Sequence, residues 1–371
     1  MGMIKRVCFV ERHAASLFTS HNDRSEIGGA EIQQYLLARE FLNRGLSVSF
    51  ILKSNSTING SEIDGVKLIE SYGSTEGVRF VRAVYPRLPK LWRALVEADA
   101  DLYYLRGARD IASVVAHFCQ LNRRKFFHAI AHDDDCSWVA LRRQGLRRFV
   151  YVHGLRRATN VLAQTSVQQR LLLENFGVRA ELVRNIMPVP DIALSASGGG
   201  LRRVLWVGTI APTKRPELLL AIAGRFPNIQ FDMIAPWKRR NSRYCEEILR
   251  RTKEVPNVRH IPFVPFSEIG AYYSNADAVL VTSAAEGFPN VLLQAWSYGK
   301  PVISTYDPDG VIAQRGLGFD ATTEQECTEA IERIQSGSID LRTYSQRARG
   351  YVEQFHSPQG ITGKLLSLAS E

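Results

Sequence analysis

Glu286 opens a segment, Glu286-Gly-Phe-Pro-Asn-Val-Leu-Leu-Gln294-Ala, that places a carboxylate, a proline and a side-chain amide within one turn-and-helix unit. The preceding AVLVTS (278–283) reads as a buried parallel strand. Pro289 suits the first turn of a helix, where it needs no N–H partner. The amides of Asn290, Val291 and Leu292 would then face outward at a helix N-terminus, a ready site for a diphosphate or other anion. Gly299 closes the helix, and Pro301-Val-Ile resumes the sheet. Glu286 falls at the carboxyl end of the strand, where open α/β sheets bind their ligands. By itself the segment also fits an ordinary strand–helix–strand crossover with Glu286 as a cap.

Three other groups of residues could do chemistry. His132-Asp-Asp-Asp135 follows a strand, and Asp133-x-Asp135 is a pattern of hard oxygen ligands suited to Mg²⁺ or Mn²⁺. The pattern is short and common, and metal binding is not the expected use. Gly28-Gly29 follows a long loop and starts a helix, so it would serve either a tight turn or close backbone approach to a ligand. His13 and His153 are isolated histidines. No nucleophile–base signature, no phosphate loop of the Gly-x-x-x-x-Gly-Lys-Ser/Thr type and no GxGxxG after the first strand is present. The last absence argues against a nicotinamide or flavin oxidoreductase.

These residues need elements to hold them, and the chain supplies strand–helix alternation twice over. Expected strands are 4–10, 46–52, 102–107, 125–132 and 160–165, then 203–208, 229–235, 258–264, 278–283 and 301–305. A helix is expected from Ala30 to Asn43, ended by Gly45. Another begins with Ser166 as N-cap and Gln169 as its capping-box partner, and ends at Gly177. Pro188, Pro190 and Ser-Ala-Ser-Gly-Gly-Gly (195–200) mark a linker. The 371 residues, 45% of them hydrophobic, suffice for two cores. The pattern predicts an α/β protein whose parallel sheets carry helices on both faces.

The Glu286–Gln294 segment resembles the E-x7-E region of family 4 glycosyltransferases of the GT-B fold, in the form EGFPN-x-LLEA. Three further stretches match that family in order. They are Ile27-Gly-Gly-Ala-Glu31, Leu172-Leu-Glu-Asn-Phe-Gly with Val183-Arg-Asn185, and Trp206-Val-Gly-Thr-Ile-Ala-Pro-Thr-Lys214-Arg-Pro. The resemblance implies a GT-B architecture. Residues 1–190 would form a Rossmann-like acceptor domain and residues 191–371 a Rossmann-like donor domain, facing across a cleft, with the last helix packing back on the first. It implies a retaining hexosyltransferase that moves a sugar from a nucleotide-diphosphate sugar to an acceptor hydroxyl, with no cofactor and no bound metal. Glu286, His132 and Lys214 would be catalytic, His132 facing the donor sugar. Gly28, Gly29, Lys214, Arg215, Phe288, Asn290, Val291, Leu292 and Gln294 would bind the donor. Two residues depart from the family: Gln294 replaces the ribose-holding glutamate, and Thr209 replaces the arginine after Gly208. These departures are what a non-catalytic nucleotide-sugar-binding or scaffold protein of the same fold would show.

Charge bears on the acceptor. The net charge is +10, nearly all from residues 1–190, with 27 Lys/Arg against 18 Asp/Glu. Cys136 to Leu173 holds seven arginines and no acid. An anionic partner of the first half is expected. Its Arg pairs alternate with Trp138, Leu141, Leu146, Phe149 and Tyr151, which suits an anionic membrane surface and a glycan or lipid-linked acceptor. Stacking signatures for nucleic acid are lacking. No apolar run reaches about 18 residues, and the N-terminus lacks a signal-peptide core. The expected place is therefore cytoplasmic, peripheral to the inner membrane face, in polysaccharide or glycolipid synthesis. Five dispersed cysteines, Cys8, Cys119, Cys136, Cys245 and Cys327, predict neither disulfides nor a zinc site.

Overall fold

Short apolar runs bounded by polar turns form the strands, and their burial on both sides fits parallel sheets covered by helices. The computed structural model describes residues 4–18, 28–54, 61–73, 76–77, 85–192, 200–236, 242–339 and 341–371. The expected linker at 195–200 lies outside them except for Gly200. Two units divide the chain: Met1–Ile186 with Pro358–Glu371, and Met187–Ser357.

The first unit runs β1 (Arg6–Phe9), α1 (Ala15–Phe18), α2 (Gly29–Asn43), β2 (Ser47–Leu52), β3 (Glu62–Ile63), β4 (Val66–Glu70), α3 (Arg87–Ala98), β5 (Leu102–Arg106), α4 (Ala112–Leu121), β6 (Lys125–Ala129), α5 (Arg147–Leu155), β7 (Asn160–Ala163), α6 (Ser166–Phe176) and β8 (Glu181–Leu182). Its sheet has the order β3-β4-β2-β1-β5-β6-β7-β8. Every pairing is parallel except β3 with β4. All five residues of β5 are buried. The cap of α6 lies one residue earlier than expected. Thr165, not Ser166, is the N-cap, and its hydroxyl accepts from the Gln168 amide at 3.1 Å. Gly177 closes it in the left-handed conformation, at φ 64°.

The second unit runs β9 (Arg203–Val207), α7 (Pro216–Arg225), β10 (Gln230–Ile234), α8 (Ser242–Thr252), β11 (Val258–Ile261), α9 (Gly270–Asn275), β12 (Ala278–Val281), α10 (Asn290–Ser297), β13 (Val302–Ser304), α11 (Val311–Arg315), β14 (Gly318–Asp320), α12 (Glu324–Gln335) and α13 (Leu341–Phe355). Its sheet, β11-β10-β9-β12-β13-β14, is parallel throughout. The last helix, α14 (Pro358–Ser370), returns to the first unit. There Ile361, Leu365, Leu368 and Ala369 share a core with Leu37, Ala38 and Phe41 of α2. The second unit therefore spans 187–357 rather than 191–371. All five cysteines are buried and free. No helix among the described residues is long and apolar enough to cross a membrane.

Candidate active site

The second sheet follows the doubly wound strand order, in which the winding reverses between β9 and β12. At such a switch point the carboxyl ends of two neighbouring strands open a crevice. Both strands carry candidate residues there. After β9, the Gly208 amide continues the ladder to the Ile234 carbonyl. A Cβ on Gly208 would meet the Trp206 ring at 3.0 Å, so a side chain there would crowd the turn. A 3-10 turn, Pro212–Lys214, follows, and Arg215 at φ 46° reverses the chain into α7.

This loop is stitched to the end of β12. The Thr282 hydroxyl donates to the Lys214 carbonyl at 2.6 Å, and the Ala284 amide to the Thr213 carbonyl at 2.8 Å. Arg215 Nε donates to the Thr282 carbonyl at 2.7 Å. Its guanidinium thus braces the loop, a use the sequence did not suggest. Lys214 Nζ forms an ion pair with the Glu286 carboxylate, their side chains 25% and 13% exposed. The backbone that bears Glu286 is held from the next strand. Tyr306 donates its hydroxyl to the Glu286 and Gly287 carbonyls at 3.1 and 3.2 Å, and Thr305 donates to the Ser283 carbonyl at 2.9 Å.

Helix α10 begins beside the pair. Pro289 is its N-cap, extended at φ −62°, rather than a first-turn residue. The Leu292 amide donates to the Pro289 carbonyl at 3.1 Å. It is therefore engaged, which corrects the expectation that it is free for an anion. Asn290 and Val291 stand half-buried beside it. Phe288 turns into the core, its ring 6.3 Å from Trp296 and 5.2 Å from His356. One helical turn on, Gln294 Oε1 accepts the Tyr273 hydroxyl at 2.8 Å. Gln294 also lines a cavity of about 190 Å³ with Tyr273, Tyr298, Phe266 and Met187. A neutral amide can exchange donor and acceptor bonds with a diol.

The remaining candidates belong to the first unit. Gly28 is the N-cap of α2, and its amide donates to the Glu31 carboxylate at 3.0 Å. Its φ of −113° is open to any residue, so backbone conformation does not demand glycine there. Ile27 lies outside the described residues. His132 caps a 3-10 turn, and its Nδ1 accepts the Asp134 amide at 3.1 Å. That bond assigns the ring proton to Nε2. The acidic run is used in capping: Asp135 accepts the Ala131 and His132 amides, and Asp133 accepts Gln168 Nε2 at 2.9 Å. No group of three or more metal-ligating side chains occurs among the described residues. His153 is exposed, 3.0 Å from Arg157.

Sequence reasoning missed Tyr273, Thr282 and Tyr306, whose roles arise only from tertiary contacts. It also missed Glu11. That residue is fully buried and holds Arg109 at 2.9 Å and Gln34 at 2.7 Å. The sequence signal was a charged pair, Glu11-Arg12, set directly at a strand end. Burial, then repulsion from Glu11, pushes the Glu31 carboxyl above its ordinary range.

Two doubly wound sheets, parallel but for the β3–β4 pair, with charged groups at the carboxyl ends of the strands, give the GT-B fold. Solved structures of that class match the whole chain. Sucrose-phosphate synthase of Thermosynechococcus elongatus superposes with a TM-score of 0.76 at 17% identity, covering 98% of each chain. HepE of Anabaena, solved with UDP and glucose, gives 0.73 at 17% identity over the full length of both. Residues 202–336, within the second unit, match the family described as "Glycosyl transferases group 1". A D-inositol 3-phosphate glycosyltransferase of Kribbella flavida is 23% identical over 344 residues, 81% of this chain and 79% of that protein.

Proposed function

We propose that the chain transfers a glycosyl group from a nucleotide-diphosphate sugar to an acceptor hydroxyl with retention, as a hexosyltransferase of family 4. The observation that carries this is the Lys214–Glu286 pair, held at the switch point of the second sheet beside the start of α10. Lys214 binds the diphosphate and stabilises charge as it leaves. Glu286, released from Lys214, accepts the sugar hydroxyls. Gln294 and Tyr273 meet the ribose, and Gly28 and Gly29 leave room for backbone approach. His132 Nε2–H is a donor to the sugar. Neither a protein nucleophile nor a metal takes part. The leaving diphosphate takes the acceptor's proton on the face it departs from, and the protein contributes position and electrostatics.

UDP is the first nucleotide to test, because HepE was solved with it. Thermal-shift screening of nucleotide sugars followed by donor hydrolysis in EDTA tests the reading. Binding and turnover are expected. Turnover that strictly needs Mn²⁺ or Mg²⁺ would refute the metal-free mechanism. Binding without any turnover or transfer would leave a nucleotide-sugar-binding protein. The context is polysaccharide or glycolipid synthesis on an anionic membrane face. Supporting it, Val139, Leu146, Phe149 and Val150 are 69%, 81%, 51% and 43% exposed amid arginines.

A further inference from the structure

The first sheet has a switch point of its own. Strand β1 pairs with β2 on one side and β5 on the other, and the winding reverses between β1 and β5. Arg12 follows β1, and Ala108–Ile111 follow β5. A 3-10 turn at Ala140–Gln144 and the first turn of α5 add Arg143, Gln144 and Arg147. Together they line a cavity of about 460 Å³. Four arginines, Arg12, Arg109, Arg143 and Arg147, therefore line one crevice.

Their counter-charges are few. Arg109 is committed to the buried Glu11 at 2.9 Å and lies 3.9 Å from Glu31, and its Nε donates to the Arg106 carbonyl at 3.3 Å. Asp110 is the one carboxylate in the lining, 3.6 Å from Arg147 and half exposed. Arg143 has no ion-pair partner among the described residues. Arg12 lies over the Tyr72 ring at 3.7 Å and donates through Nη2 to the Tyr72 carbonyl at 3.0 Å. Its Nε is buried and makes no hydrogen bond within the described residues. Burial, with Arg109 and Arg87 close by, pulls the Arg12 guanidinium below the usual arginine range. Arg12 and Arg109 are largely desolvated, and gathering two more arginines at the same crevice costs free energy unless an anion completes it. Arginine forks match the paired oxygens of phosphate.

We infer that this crevice binds a phosphate group carried by the acceptor, so that the acceptor is a phosphorylated molecule. The inference rests on the glycosyl-transfer reading for the word acceptor, but the phosphate site stands or falls by itself. Lys214 in the second unit serves the donor. The arginine crevice in the first serves the other substrate.

Equilibrium dialysis of the full chain against radiolabelled inorganic phosphate, at fixed ionic strength in chloride, tests it. Arg143 and Arg147 are exposed, so Arg143→Ser/Arg147→Ser leaves the Glu11–Arg109 core contact in place. The double variant should weaken phosphate binding by about tenfold or more. A Lys214→Ala chain should keep this binding, since its change is in the other unit. Glucose 6-phosphate and vesicles of phosphatidic acid then compete for the labelled phosphate. Displacement by the sugar phosphate alone upholds a soluble acceptor, and displacement by vesicles upholds a lipid-linked one. Wild-type phosphate affinity in the double variant, or displacement by acetate as effective as by phosphate, would overturn the assignment. No nucleotide-sugar binding with the crevice still holding phosphate would instead sink the transferase reading.

Discussion

Replacing Lys214 by Ala separates the two halves of a nucleotide. The ammonium reaches the crevice from a loop whose backbone is pinned to β12 by Thr282 and Ala284, so its loss leaves the loop in place. A charged hydrogen bond to phosphate contributes about 1.5–3 kcal/mol. The expected loss is therefore about 10- to 150-fold in the Kd for UDP, or for whichever nucleoside diphosphate binds. Uridine carries no phosphate and should bind within about twofold of wild type, since a surface substitution with no contact to it is near neutral. The variant also strips Glu286, only 13% exposed, of its counter-charge. That carboxylate would then repel the incoming diphosphate. Adding Glu286→Gln to Lys214→Ala should recover part of the lost UDP affinity, with a coupling of about 0.5–3 kcal/mol. Isothermal titration of the four chains with UDP and uridine reads every corner of this cycle. Equal losses for UDP and uridine, in a chain whose circular dichroism is unchanged, would refute the role given to Lys214.

Glu286→Gln alone should keep the fold and lower turnover on the natural donor by about tenfold or more, because a charged acceptor for sugar hydroxyls is lost; wild-type turnover in the purified variant would move the site elsewhere. His128 is fully buried between Phe126 and Tyr151, and desolvation holds its ring down to about pKa 3. The unfolded chain takes up that proton near pH 6.5, so this contribution to stability is complete above about pH 6.5 and falls by about 1.4 kcal/mol per unit as pH drops towards 3. Urea midpoints measured from pH 7 to 5 should fall less steeply for His128→Leu than for wild type, and equal slopes would show that His128 does not titrate this way. The full chain should sediment with anionic but not zwitterionic liposomes, less so at high salt and much less when Arg142, Arg143, Arg147 and Arg148 become Ser; no binding at low salt would leave a soluble acceptor.

The sheets were legible because their signal is local. Runs such as LYYLRG and AVLVTS carry enough β-branched and aromatic residues to place strands to within a residue or two. The β3–β4 hairpin was missed, although Asp64-Gly65 is a strong turn signal and both residues have positive φ, 52° and 79°. Strands of two and five residues offer too short an alternation to stand out. At the site, Lys214 and Glu286 were found by their motifs, 72 residues apart in sequence. Their pairing with each other was not, because a side-chain contact between two loops depends on how the strands under them are ordered. The same holds for Gln294, whose bond to Tyr273 joins α10 to α9. Phe288 shares a motif with donor-binding residues, yet its size and apolarity send it to the core beside Trp296.

The path of the chain also sets an order of assembly. The apolar face of α2 is made early in synthesis, yet the residues that cover it, Ile361, Leu365, Leu368 and Ala369, come only after the whole second unit. At roughly 5–20 residues per second, about 300 intervening residues keep that face open for about 15–60 s on the ribosome. In that interval the second unit, contiguous in sequence, can close its own core. The first unit completes its core only when α14 is released. A nascent chain halted before Pro358 thus exposes a hydrophobic groove on α2, the kind of surface that chaperones hold and that aggregation exploits.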